Sequence, residues 1–230
     1  MKNLLAISLI GLVGLLLMKS KPTAIPVNDK IELGVSVIVF DDPERVYPDG
    51  NVPEKQIDEF ARIVGQYTAF SLRIDEIAHY SQPAREYGKY IIWQGLPPDF
   101  LERVTGQDIV IMFWNNNDDY PYASMGSDMT QTEGTLFSGW IRIPYNWTDW
   151  MWQLADPNLT VGGEELCHEW NHIVQSWAWQ AAQVGIASPH DDVPGSSFEE
   201  KIAHRISPLN HDLAQQIREY LDIPVQMTQD

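Results

Sequence analysis

The chain has one cysteine, Cys167, in 230 residues. That excludes an intramolecular disulfide framework and any zinc module built on several thiolates. Positive charge is scarce: fifteen Lys and Arg stand against thirty-two Asp and Glu, a formal charge of −17. Nothing in that balance supplies a phosphate-neutralising surface, so the sequence does not describe a nucleic-acid binder. Internal repeats and low-complexity tracts are missing too. What is present is an apolar share of 44%, ordinary for a folded domain and too high for a disordered chain. This length fits one domain, or at most a pair of small subdomains sharing a cleft.

One long hydrophobic run, Leu4 to Met18, follows Lys2 and is closed by Lys19 and Lys21. It suits a signal-peptide core and falls short of the roughly 20 residues that span a bilayer comfortably. Residues 1–22 are therefore read as a signal peptide or N-terminal anchor, with a membrane tether through residues 4–18 if it stays uncleaved. The expected location is extracytoplasmic, secreted or anchored by that uncleaved signal. Residues 23–30 read as a linker and 31–230 as the folded domain, divided into 31–183 and a smaller, mostly helical part, 184–230.

Within the domain, the β-branched run Val35–Phe40 reads as a buried strand. Pro53 opens a helix with Ile57, Phe60, Ala61, Val64 and Tyr67 at helical spacing. Arg73–Tyr80 and Asp108–Trp114 read as further strands, the latter suited to a sheet centre. Asn115–Thr135 reads as a long polar loop. Leu136–Ile143 reads as a strand that Pro144 ends and places at a sheet edge, where an extended substrate could add by main-chain hydrogen bonds. Helices are expected at Gly162–Gln183, Phe198–Ile206 and Asp212–Leu221. The order is that of an α+β architecture: a mixed twisted sheet with a backing helix and a second, chemistry-bearing helix.

That second helix contains His168-Glu169-Trp170-Asn171-His172, a His-Glu-x-x-His pattern. Spacing of i and i+4 puts both imidazoles on one face, one turn apart, where they can grip a single Zn²⁺. A glutamate beside the first histidine can take a proton from water at the metal. At about 100° per residue, Leu166, Trp170, Ile173, Trp177 and Ala181 gather on the opposite side as a core stripe. Cys167 lies off the histidine face and reads as a small buried thiol.

The motif resembles that of the zincin metallopeptidases, whose active-site helix carries His-Glu-x-x-His. The resemblance implies a zincin-like fold over 31–230, with 31–183 as upper subdomain and 184–230 as C-terminal subdomain. It implies His168 and His172 as zinc ligands, Glu169 as general base, Zn²⁺ as cofactor and a peptide or protein as substrate. The metzincin extension would need Gly and His where this chain has Gln175 and Ala178, so a gluzincin-like third ligand is expected from a later helix. Glu199 is preferred, because it falls on the inward wheel face of Phe198, Ile202, Ala203 and Ile206 and an inward carboxylate is costly unless paired. His190 is second and Glu200, which Ser197 could cap, is third. The oxyanion-stabilising residue is not identified. Two rival functions remain: an inactive zincin-like binding module using the Trp-rich surface of Trp140, Trp147, Trp150 and Trp152, or a zinc hydrolase acting on a non-peptide amide.

Overall fold

The computed structural model describes residues 30–40, 53–80, 98–114, 124–131, 134–144 and 161–222. In chain order these form β1 (Ile31–Phe40), α1 (Pro53–Tyr67), β2 (Phe70–Tyr80), α2 (Pro98–Val104), β3 (Gln107–Trp114), β4 (Ser124–Gln131), β5 (Gly134–Pro144), α3 (Val161–Ala182), α4 (Phe198–Ile206) and α5 (His211–Leu221). The strands make one sheet in the order β2-β1-β3-β5-β4. Four run parallel, and β4 lies antiparallel to β5 at the edge.

β1 and β3 are covered on both faces, which is why they are near-continuous apolar runs rather than alternating ones. Register aligns Val37 with Ile111 and Ile141, and Val39 with Phe113 and Ile143. These rows join Phe60, Ile63 and Val64 of α1, Trp170, Ile173 and Trp177 of α3, and Leu213 and Ile217 of α5 in one core. Residues of the opposite face, Ile38, Val110 and Met112, are buried as well. Phe100 of α2 stacks 6.1 Å from Phe40.

Two sequence expectations are corrected. β5 is not an edge strand: β3 and β4 flank it, and Pro144 ends it while pairing in register with Trp114. The stretch expected to be a loop at 115–135 holds β4, whose partner is β5 rather than anything in its own composition. Addition of a substrate to Leu136–Ile143 falls with the edge assignment. Residues 1–22, the linker up to residue 29, and Trp147, Trp150 and Trp152 lie outside the described residues. Among the described residues no helix is long and apolar enough to cross a membrane.

One contact fixes how the chemistry-bearing helix sits. A Cβ at Gly139 of β5 would lie 3.0 Å from Ile173 Cγ2 and 3.2 Å from Trp177 Cζ2. The missing side chain lets α3 settle on the sheet, and Trp177 Nε1 donates to the Ser138 carbonyl at 3.3 Å. Trp170 meets Phe60 and Phe70 edge-on, at 6.0 and 6.4 Å between centroids. α5 is tied down by Arg218, whose Nη1 donates to Asp108 Oδ2 at 2.8 Å. The same oxygen accepts the Gly34 N–H at 2.8 Å.

Candidate metal centre

The spacing that buries one stripe of α3 presents another. Leu166, Trp170, Ile173 and Trp177 are fully enclosed, while His168 and His172 are half-buried, with ring centroids 5.3 Å apart. A third imidazole meets them from the loop after α3: the His190 ring lies 5.0 Å from His168 and 5.1 Å from His172. One ligand nitrogen from each of the three falls within 4.8 Å of the other two. An overlapping group, Glu165, His168 and Glu169, meets the same distance limit.

The loop reaches this position because it is held along the helix. α3 ends at Ala182, and Gln183 follows it in the left-handed region at φ 56°. The chain then turns back, and Gln175 Nε2 donates to the Ile186 carbonyl at 2.8 Å while Asn171 Nδ2 donates to the Ala187 carbonyl at 2.9 Å. A turn follows at Ser188–Asp191. The Asp191 N–H donates to the Ser188 carbonyl at 3.0 Å, and the Ser188 N–H to the Asp191 carboxylate at 2.7 Å. Arg205 of α4 secures the far side by donating to the Asp191 carbonyl at 2.8 Å. His190 stands in that turn, exposed.

Glu199, expected as the third ligand, is elsewhere. It does face another element, as its wheel position requires, but that element is α1. Its carboxylate accepts hydrogen bonds from Arg62 Nη2 at 2.8 Å and from the Tyr67 hydroxyl at 2.7 Å. The cost of an inward carboxylate is met by a guanidinium and a phenol, with no need of a metal. Burial works to raise the Glu199 pKa, and the bonds from Arg62 and Tyr67 outweigh it and hold it below the ordinary carboxylate value. Glu200 completes the cap of α4: the N-cap Ser197 accepts the Glu200 N–H on Oγ at 3.2 Å, and the Glu200 carboxylate accepts the Ser196 N–H at 2.8 Å. The gluzincin-like ligand set is therefore corrected; the donors brought together are three imidazoles.

Electrostatics prepare those imidazoles for a cation. Burial, reinforced by the charges of His172, His190 and Arg205, pulls His168 down to about 4. His172 is lowered as well, by burial and then by His190, against a hydrogen bond with Gln175 that raises it. Both are neutral at pH 7 and offer lone pairs. Glu169 is enclosed, at 7% exposure, and burial pushes its pKa up to about 7. A hydrogen bond with Glu165 and the charge of Arg142 on β5 pull it the other way. Three imidazole nitrogen donors beside a buried carboxyl match what Zn²⁺ takes in sites that keep one coordination position open.

Asn171, Gln175 and Arg205 are site residues that sequence reasoning passed over. Their one signal was polarity at helix positions with apolar neighbours. No protein-family model matches the chain, and no curated protein matches it either. Among solved structures an archaemetzincin from Methanopyrus kandleri is similar, with a TM-score of 0.37 and 16% identity, over 86% of this chain and 99% of that one. A similarity that low decides neither fold nor chemistry, which rest on the residues above.

Proposed function

We propose that the protein is a zincin-like zinc peptidase whose metal ligands are His168, His172 and His190 and whose general base is Glu169. One observation carries this: three imidazoles converge within 4.8 Å beside a carboxyl that burial has brought to about 7. The chain order, with an antiparallel edge strand and then β5 ahead of the histidine helix, supports a zincin-like fold. The run at residues 4–18 supports export.

A bound Zn²⁺ supplies Lewis acidity, acidifying water towards a pKa of about 7 and polarising a carbonyl. Everything else falls to the chain. Neutral His168 and His172, set one helical turn apart, hold two donor positions rigidly, and the turn at Ser188–Asp191 brings the third. Glu169 takes the proton from water on one oxygen and delivers it to the leaving amine. A carboxyl titrating near neutrality does both without a large driving force lost in either direction. An intact base argues against an inactive binding module, which has no use for it.

Glu169→Gln tests this. The variant should bind zinc as the wild type does and lose 10²- to 10⁴-fold in cleavage of an unstructured protein substrate. Cleavage at the wild-type rate would refute the role of Glu169. Zinc binding with turnover of small amides but of no peptide would move the substrate to the non-peptide class.

A further inference from the structure

We infer that Asn171 and Gln175 are positioning residues, a pair of amides that clasp the loop backbone so that His190 arrives at the site. The inference rests on the metal reading above and goes beyond it, because neither amide belongs to the ligand set or to the proton path. Asn171 and Gln175 repeat at i, i+4, as His168 and His172 do, so two short rows run along the same helix. One row supplies imidazoles. The other donates to two successive carbonyls, Ile186 and Ala187, four and three residues ahead of His190.

Asn171 shows what that row is for. It is 1% exposed, and its Oδ1 is buried with no hydrogen-bond partner among the described residues. A buried unpaired acceptor is costly, and an apolar residue of the same size would avoid the cost. The side chain's single bond, to the Ala187 carbonyl, is what offsets it. The loop has other anchors: Ile186 sits in the core, and Arg205 holds the Asp191 carbonyl. Between those two points the amides decide the path of the backbone. A ligand on a tethered loop reaches its metal without first losing the freedom of a free one.

Zinc affinity of the double variant Asn171→Leu/Gln175→Leu tests this, measured by competition with a chromophoric chelator and alongside His190→Ala. Affinity should fall 10- to 100-fold, the range seen when groups that orient metal ligands are removed. The metal-free variant should unfold cooperatively, with no loss of stability from Asn171→Leu. In a His190→Ala background Asn171→Leu should cost nothing further, because that amide acts only through the loop, whereas Gln175 also hydrogen-bonds His172 and keeps that share of its effect. Gln175→Leu alone, at a half-buried position, provides a variant that keeps its fold and should show a smaller loss of the same kind. Wild-type affinity in the double variant, or an equal further loss from Asn171→Leu in the His190→Ala background, overturns the inference. A wild-type protein that binds no zinc overturns the metal reading itself and is told apart by that.

Discussion

Zinc binding should release a proton from Glu169, and the amount follows from the site. Burial holds this carboxyl at about 7, so in the metal-free protein it is largely protonated at pH 6 and loses its proton as pH rises through 7. A cation at the adjacent His168 favours the carboxylate and expels that proton. His168, at about 4, holds only about a hundredth of a proton at pH 6 and adds almost nothing. Glu169→Gln removes the titrating group and leaves the ligands. The wild type should therefore release up to about one proton more than Glu169→Gln at pH 6, with a difference that shrinks as pH rises past about 7. Calorimetric titration with zinc in buffers of different ionisation enthalpy counts these protons directly. Equal release from the two proteins at pH 6 would refute both the burial of Glu169 as an acid and its place beside the metal.

Other consequences concern stability. In the metal-free protein the raised Glu169 contributes stability that is complete below 4.5, its ordinary value, and lost as pH rises through about 7. His168, with its depressed value, contributes stability present above 6.5 and lost as pH falls towards about 4. The two oppose each other, so Glu169→Gln should unmask a loss on acidification from pH 6.5, up to about 1.4 kcal/mol per unit and readable from urea midpoints. A midpoint that does not move between pH 6.5 and 4.5 would contradict this. Gly139→Ala should destabilise by about 1–3 kcal/mol, because its Cβ would press on Ile173 and Trp177; an unchanged midpoint would show that α3 does not rest there. Asp108→Ala leaves Arg218 with Asp222 alone and the Gly34 N–H without its carboxylate and should cost about 1–3 kcal/mol. If chemical denaturation gives less than 1 kcal/mol, the pair is not the tie between α5 and the sheet.

Local periodicity carried much of this architecture. The α1 stripe of Ile57, Phe60 and Val64 and the α3 stripe of Leu166, Trp170, Ile173 and Trp177 are buried as their spacing requires. α4 runs Phe198–Ile206 with Ser197 at its N-cap, as the serine and the following Pro208 indicate. β4 was illegible because SMGSDMTQ has no alternation of β-branched residues; its strand identity comes from pairing with β5. α2, seven residues long, is too short for a periodic signal. Gly139 within a strand was a legible hint of close backbone approach, and α3 is what approaches. At the site, the i, i+4 histidines were evident and the third donor was not. A wheel says that Glu199 points inward but not which helix it meets, and Arg62 lies 137 residues away. His190 reaches the other two histidines through side-chain bonds to loop carbonyls, which leave no periodic trace.

The most direct measurement is zinc affinity for His190→Ala beside Glu199→Ala, each with metal content after purification. His190→Ala should lose at least about 100-fold in affinity, as expected when one protein donor is removed from a site of three. Glu199→Ala should bind as the wild type does, since its carboxylate serves Arg62 and Tyr67. Undiminished binding by His190→Ala with loss of binding in Glu199→Ala would contradict the three-imidazole site.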